Sequence, residues 1–142
     1  MRKEHFSIEI HAPQEKVWRT LWQDKTFRDW TNNIDEGMYL LGELKEGNEV
    51  HFMSPNGFGV KSLVEKYVEN ESISFRHLMD TKDNAEREKE WTGGEESYSL
   101  TETNGITTLT VEMDLPPEQV ENFKNIIPKA LARVKWLSEE KE

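Results

Sequence analysis

One histidine of this sequence combines a side chain capable of chemistry with apolar surroundings. His77 alternates along the chain with Ile73, Phe75 and Met79, which predicts that all four side chains point to the buried face of one strand. A histidine in that position can donate a hydrogen bond to a ligand or act as a general base on a bound substrate. The competing interpretation, a core or rim histidine satisfied by a neighbour, is the more common one, since a lone imidazole has no partner to orient it.

The other histidines and the lack of cysteine argue against a metal site. His5, His11 and His51 alternate against apolar neighbours, which predicts that they face solvent. No two histidines stand at the i, i+4 spacing of a helix or in a His-x-His pattern on a strand, and the chain has no cysteine. We therefore expect no metal and no cofactor.

No residue is assigned as catalytic from the sequence. Glu102, Glu112 and Asp114 fall on the last two predicted strands and could pair for acid–base work. In a chain with 28 acidic residues such neighbours arise readily by chance, and nothing places two of them in apolar surroundings. Carboxylate catalysis is therefore a weak alternative.

Large apolar side chains carry the clearest functional signal. Five Trp, six Phe and three Tyr place much apolar area in few positions. Any one of them is more often part of a filled core, but as a set they favour the wall of a cavity for an apolar small molecule. The predicted ligand-binding residues are Trp30, Phe52, Phe75, His77, Trp91, Tyr98, Val111, Met113, Phe123, Ile127 and Leu131.

The beginning of the chain predicts a strand and two short helices. Residues 6–12 alternate between apolar and polar types, as in a half-buried strand. Pro13 suits the first position of a helix that runs to about Trp22. Asp24 is the predicted N-cap of a second short helix, which carries Trp30.

The middle of the chain, from Met38 to Asp114, predicts strands joined by turns. Consecutive alternating runs indicate an antiparallel sheet, with turn residues at 47–48, 55–57, 69–71 and 104–105. The stretch from Asp80 to Glu95 is crowded with charge and predicts a long loop. Its one aromatic residue, Trp91, could close over the mouth of a cavity.

The end of the chain predicts one long helix with a single apolar stripe. Pro116 and Pro117 open it, and Pro128 should kink it and bow it away from the sheet, which would leave volume beneath it. Ile127→Trp or Ala130→Trp is expected to fill that volume. The stripe consists of Val120, Phe123, Ile127, Ala130, Leu131, Val134 and Leu137.

These elements predict an α+β helix-grip fold. A curved antiparallel sheet of about seven strands would surround the long C-terminal helix, and two short helices would follow the first strand. The length of 142 residues suits a single domain over residues 1–142.

Charge and hydropathy exclude several partners. Against 28 acidic residues there are 18 basic ones, and the net charge of −10 repels nucleic acids and anionic membranes. No apolar run approaches the ~18 residues of a membrane span, and the charged start lacks the apolar core of a signal peptide. We expect a cytoplasmic protein that binds neither nucleic acid nor membrane. The sequence leaves the oligomeric state open.

The order of several motifs points to a known superfamily. They are residues 8–18, Leu21-Trp22, Trp30, Leu41-Gly42, Gly47, 50–52, 64–66, 69–71, 73–75, Trp91-Thr92-Gly93, 98–100, Asn104-Gly105 and 108–111. With the C-terminal helix, they resemble the START-like (SRPBCC) helix-grip superfamily, nearest the branch named after the C-terminal domain of the activator of the heat-shock-protein ATPase. The resemblance covers almost all of residues 4–138 and implies the helix-grip fold. The superfamily includes lipid carriers, hormone receptors, polyketide cyclases and co-chaperone domains.

Three functions remain open at this point. The first is a non-enzymatic binder of a hydrophobic or lipid-like small molecule. The second is a cyclase or dehydratase in which His77 or Tyr98 moves a proton on a polyketide-like substrate. The third is a protein-interaction module of co-chaperone type. A dry apolar cavity would favour the first, two polar groups inside a cavity the second, and a filled core with an exposed apolar patch the third.

Overall fold

The structure is a computed structural model that describes residues 1–55, 58–82, 85–87 and 92–140. For residues 58, 81–82 and 85–87 the description covers the backbone alone. The predicted site residue Trp91 lies outside the described residues.

Three α-helices occur in the described part of the chain. Helix α1 spans Gln14–Trp22, α2 spans Asp24–Thr31 and α3 spans Val120–Glu139. A 3₁₀ turn over Pro117–Gln119 precedes α3. The two short helices after the first strand and the long C-terminal helix are thus confirmed. Pro128 lies inside α3, and the helix continues through it.

The predicted cap of α2 is wrong by one residue. Gln23 occupies the N-cap position and no side chain caps this helix. Asp24 instead begins the first turn, where a carboxylate interacts favourably with the positive end of the helix dipole. Its Oδ1 accepts a hydrogen bond from Arg28 Nε at 2.9 Å.

One antiparallel sheet holds all strands of the described residues. Its continuous path of seven strands runs in the order β1-β8-β7-β5-β4-β3-β2, with the short β6 paired to β5. This confirms the predicted sheet of about seven strands curved around a long helix. The strands are β1 Arg2–Ile10, β2 Tyr39–Leu41, β3 Glu49–Met53, β4 Phe58–Val68, β5 Ser72–Lys82, β6 Ala85–Arg87, β7 Glu95–Thr103 and β8 Ile106–Leu115.

The turn between β7 and β8 has the geometry that its sequence predicts. Asn104 and Gly105 have φ values of 52° and 79°. Positive φ at both central residues is what a type I′ hairpin turn requires. This turn aligns Tyr98 with Val111 and Leu100 with Leu109, so that both pairs share the buried face.

The predicted loop from Asp80 to Glu95 is wrong at its beginning. Strand β5 continues to Lys82 and pairs with β6, so that Asp80 lies opposite Arg87 and Lys82 opposite Ala85. The high charge of the segment suggested a loop, but charged side chains also occur on strands at the edge of a sheet.

A register shift between β4 and β5 alters which residues face the core. Ser62 pairs with His77, and the next pair is Lys61 with Met79, so the register skips Leu78. An extra residue in one strand of an antiparallel pair is a β-bulge, and it inverts the alternation beyond it.

The bulge overturns the prediction that Met79 shares a face with His77. Met79 moves to the outer face of the sheet, and Asp80 takes the inner position opposite Val60. Alternation read from the sequence assumes an unbroken period of two, and one inserted residue is enough to reverse it.

The long helix packs against the first strand and both short helices. Residues of α3 contact β1, α1 and α2. Its buried side chains include Ile127, Ala130, Leu131 and Val134, each at most 3% exposed. Among the described residues, no helix is both long enough and apolar enough to cross a membrane.

Candidate functional site

A cavity of about 380 Å³ lies between the inner face of the sheet and the helices. Strands β3, β4, β5, β7 and β8 form its floor. Helix α2, the turn that follows it and Phe123 in the first turns of α3 form its roof. Small-molecule sites commonly have volumes of ~300–1,000 Å³, so this cavity is large enough for a ligand.

The predicted ligand-binding residues fall into three groups. Trp91 is outside the described residues, and four others are buried beside the cavity without lining it: Phe75, Val111, Ile127 and Leu131. The cavity is lined by Trp30, Phe52, His77, Tyr98, Met113 and Phe123.

The helix side of the cavity differs from the expected one. Of the three α3 residues predicted to form it, Phe123 alone lines the space. Helix α2 supplies the rest of the roof through Phe27, Trp30 and Thr31. Further along α3 the side chains are fully buried against their neighbours, so Ile127→Trp would overpack the core instead of filling the cavity.

His77 reaches the cavity from β5 and also has a partner within the protein. Its Nδ1 is 2.9 Å from the hydroxyl oxygen of the buried Ser62. Its backbone N–H donates to the carbonyl of Gly94 at 2.9 Å, and its carbonyl accepts from the N–H of Gly93 at 2.7 Å. Burial lowers the pKa of His77 from 6.5 to about 4, with Asp114 opposing the change, so the imidazole is neutral near pH 7.

Glu96 is the functional side chain that the sequence reasoning missed. It lines the cavity from β7 and is hydrogen-bonded to Tyr98, whose hydroxyl donates to the carboxylate. Burial raises the pKa of Glu96 from 4.5 to about 7, and the hydrogen bond from Tyr98 opposes that rise. Burial, together with the charge of Glu96, raises the pKa of Tyr98 well above its ordinary value. The sequence pattern that could have identified Glu96 is strand alternation, since Glu96, Tyr98 and Leu100 share one strand face.

The floor of the cavity therefore carries several polar groups. The bulge in β5 brings Asp80 to the same inner face as His77, and Glu96 follows on the neighbouring β7. Among the described residues that line the cavity there is no lysine or arginine.

The aromatic part of the wall is built from mutually packed rings. Phe27 lies edge-to-face with Trp30 at 5.5 Å between ring centroids, and Trp30 lies 6.3 Å from Tyr98. Phe52 lies 6.3 Å from Phe27. The indole N–H of Trp30 donates to the carbonyl of Leu21 at 3.1 Å, which fixes the ring. Such contacts hold the rings in place and present an apolar surface to a ligand.

The described residues contain no cluster of three or more His, Asp or Glu side chains suited to holding a metal ion. The chemistry that these residues offer is hydrogen bonding and proton transfer by Glu96, Tyr98 and His77, next to an apolar wall.

Comparison with known proteins identifies the family. The family model described as Activator of Hsp90 ATPase homolog 1-like protein matches residues 11–135. None of the curated proteins matches the sequence. The structure of MLL2253 from Mesorhizobium loti matches with a TM-score of 0.77 and 19% identity over 99% of both chains.

Two further structures share the fold. The Aha1 dimer from Colwellia psychrerythraea matches with a TM-score of 0.72 and 21% identity over 98% of this chain and 97% of that one. DynU16, a protein in the dynemicin biosynthetic locus, matches with a TM-score of 0.71 and 15% identity over 94% of this chain, which spans 46% of that protein's length. The chain therefore belongs to the family of Activator of Hsp90 ATPase homolog 1-like proteins, in the START-like (SRPBCC) superfamily.

Proposed function

We propose that this protein binds a hydrophobic or lipid-like small molecule in the cavity beneath α2 and the start of α3. The observation that carries the proposal is the cavity itself, about 380 Å³ of space with an aromatic wall next to the buried apolar core. If these side chains served only to complete the core, they would be expected to fill such a volume, because protein interiors are packed as densely as organic crystals.

The distribution of polar groups specifies the form of the ligand. The roof is mostly apolar, with Phe27, Trp30 and Phe123, whereas the floor offers His77 and Glu96. An apolar site with a few convergent polar groups binds a ligand with an apolar body and one polar head. We infer that the body lies against the roof and the head meets the floor.

A variant that fills the cavity tests the proposal. Val60 lines the floor from β4, and Val60→Phe should occupy part of the space. Val68→Phe is the matched control, since Val68 belongs to the same strand, is 37% exposed and does not line the cavity. We expect apolar compounds to raise the melting temperature of the wild type and of Val68→Phe, and to quench or shift the emission of Trp30.

Val60→Phe should remain folded and lose most of these responses. Native mass spectrometry of the purified wild type shows whether a co-purified ligand already occupies the site. If the protein carries no bound ligand and a broad set of apolar compounds changes neither melting temperature nor emission, the cavity is not a ligand site.

The second candidate function is general acid–base catalysis on a bound ligand, of the cyclase or dehydratase type. It is favoured by the polar groups inside the cavity: Glu96 with a pKa of about 7, its partner Tyr98, and His77. A carboxyl group with a pKa near the working pH can both accept and donate a proton.

Deuterium exchange distinguishes the two functions. A general base in the cavity would exchange the protons next to the carbonyl of acetophenone in deuterium oxide faster than buffer does, as followed by NMR. Glu96→Gln should abolish the acceleration. Exchange at the buffer rate in the presence of wild-type protein would remove this candidate and leave binding alone.

A protein-interaction function has less support in the described residues. Their large exposed apolar side chains lie on different elements: Met1, Leu41, Val68 and Trp136. The guanidinium of Arg133 stacks on the ring of Trp136 at 4.4 Å, which makes that site less apolar.

A further inference from the structure

A second cavity, of about 360 Å³, lies beside the first, between the α1–α2 junction and strands β2 and β4. Arg19, Gln23 and Asp24 in its lining are exposed, so this cavity meets solvent at the junction of the two helices. Its inner wall is aromatic, and there Trp18 lies edge-to-face with Tyr67 at 5.7 Å between ring centroids. The second cavity thus reaches from the surface to the aromatic part of the core.

One side chain, that of Phe27, forms a partition between the two cavities. Among the described lining residues, Phe27 alone belongs to both. On one side its ring stacks on Trp22, which lines the second cavity, at 6.2 Å. On the other side it lies 5.5 Å from Trp30 and 6.3 Å from Phe52, which line the first. The Phe27 ring is therefore in contact with the walls of both spaces.

The surroundings of Phe27 hold this partition in place. The backbone N–H of Phe27 donates to the carbonyl of Gln23 at 2.8 Å, and its carbonyl accepts from the hydroxyl of Thr31 at 2.6 Å. The side chain is 2% exposed. A ring packed against other rings on both sides cannot rotate without displacing them, because protein interiors are close-packed. The partition is therefore a fixed wall and not a mobile lid.

Building on the proposed function, we infer that Phe27 is a specificity-determining residue that limits the length of the ligand's apolar body. A body that lies beneath α2 in the first cavity meets the Phe27 ring and cannot continue into the second cavity. Each methylene that is buried strengthens binding, whereas one that has no space adds nothing or forces the surrounding side chains apart. Removal of the ring would join the two cavities and admit a longer chain.

A series of straight-chain alcohols measures this limit. Hexanol, octanol, decanol, dodecanol, tetradecanol and hexadecanol differ in chain length alone, and displacement of the apolar dye N-phenylnaphthylamine gives their affinities for the ligand-free protein. Each added pair of buried methylenes should strengthen binding at least about tenfold until the chain reaches Phe27, and the affinity should then level off or fall. An affinity for the wild type that rises steadily through hexadecanol would overturn the inference.

Variants at the partition and in the second cavity locate the limit. In Phe27→Ala, the first alcohol beyond the wild-type limit should bind at least about tenfold more tightly than the limiting alcohol. Leu40 lines the second cavity from β2, so adding Leu40→Trp should fill that space and restore the wild-type limit. Leu41→Trp is the matched control, since Leu41 follows on the same strand, is 49% exposed and lines neither cavity. It should leave the extended limit of Phe27→Ala unchanged.

The outcomes distinguish this inference from the proposed function. If no alcohol displaces the dye, the proposed function itself fails. If the alcohols bind but Phe27→Ala keeps the wild-type limit, the first cavity is a ligand site and Phe27 does not limit its ligand. Equal effects of Leu40→Trp and Leu41→Trp would show that the longer chains do not enter the second cavity, and would overturn the inference as well. Should circular dichroism show that Phe27→Ala is unfolded, Phe27→Val removes part of the ring and should move the limit in the same direction.

Discussion

The two ends of α3 meet the same sheet-and-helix core in different ways. Towards its C-terminus, the packed end, Ile127, Ala130, Leu131 and Val134 are buried in a continuous apolar core that includes Ile10 of β1. Towards its N-terminus, the open end, Phe123 is half-buried and lines the cavity together with α2. One helix thus stabilises the fold at one end and borders the candidate site at the other.

The sheet shows the same division. Leu109 and Val111 on β8 are 0% and 1% exposed, as expected for strand residues that face a packed core. On β5 and β7 the corresponding inner positions include His77, Asp80 and Glu96. Ionisable side chains that face inward beside a cavity are candidates for binding or chemistry more than for holding the fold.

The largest expected effect is a truncation at the packed end. Leu131→Ala removes a side chain that is 3% exposed and should lower the free energy of unfolding by about 3 kcal/mol, within the range for buried leucines. Phe123→Ala removes more atoms, but its side chain is half-buried beside existing space, so its cost should be about half as large. Urea denaturation of both variants measures the difference. A greater loss for Phe123→Ala would contradict the division between the two ends.

The second effect concerns the charge at the open end. The pKa of Glu96 is raised by burial to about 7, so between pH 4.5 and 7 the folded state keeps a proton that the unfolded chain releases. The stabilising contribution of this proton is present below pH 4.5 and is lost as the pH rises through 7. It amounts to about 3 kcal/mol, and Glu96→Gln should avoid the loss.

Urea denaturation of the ligand-free wild type and Glu96→Gln at pH 5 and pH 8 measures this term. The variant should gain stability relative to the wild type at pH 8 but much less at pH 5. His77 changes stability in the opposite direction, since its lowered pKa makes its contribution present above pH 6.5 and lost as the pH falls through about 4. That contribution is common to both proteins and cancels in the comparison. A difference independent of pH would mean that Glu96 is solvated.

A smaller effect should follow from the hydrogen bond beneath the floor. Ser62→Ala removes the hydroxyl that lies 2.9 Å from His77 Nδ1, and Ser62 is fully buried. The expected cost is about 1 kcal/mol, the usual value for one buried hydrogen bond. Ser99→Ala, on an exposed position of β7, should cost close to nothing. Equal costs would show that the Ser62–His77 contact does not stabilise the fold.

Most of the fold could be predicted from local patterns. Each helix and most strands show the periodicity of apolar residues that is typical of their type, in the short helices, the strands and the long final helix alike. The Asn104-Gly105 turn shows the positive φ values that its residue types favour. The overall order of motifs also led to the correct superfamily. These features arise from residues that are contiguous in the sequence. Predicting them therefore does not require knowing which strands are neighbours in the sheet.

The candidate site was less predictable because it depends on register and on space. The skipped Leu78 exchanges Met79 for Asp80 on the inner face, and no local pattern of the sequence reveals this. The position of the cavity also depends on how closely α3 approaches the sheet. In the structure α2 covers the cavity, and Ile127 and Leu131 of α3 do not line it. Glu96 could have been found by alternation with Tyr98, but a glutamate was not expected to face inward.

The smallest effect concerns the ion pair that joins the roof helices. Arg133 of α3 donates from Nε and Nη2 to the two carboxylate oxygens of Asp29 of α2, at 2.6 and 3.0 Å. These hydrogen bonds lower the pKa of Asp29, so the contribution of the pair is present above pH 3.8 and is lost as the pH falls through the lowered value. Both side chains are more than one third exposed, which limits their contribution to less than about 1 kcal/mol.

Asp29→Asn should therefore lower the free energy of unfolding only slightly, and high salt should reduce the difference further. Asp24→Asn is the matched control, because it removes the same charge from α2. Asp24 pairs with Arg28 inside the same helix and does not link α2 to α3. The excess cost of Asp29→Asn over Asp24→Asn measures the link between the helices. If that excess reached the cost of Leu131→Ala and persisted in high salt, the roof of the cavity would be held as firmly as the packed end. The small excess that we expect means instead that the apolar packing of α2 and α3 in the core, and not this ion pair, holds the two helices together.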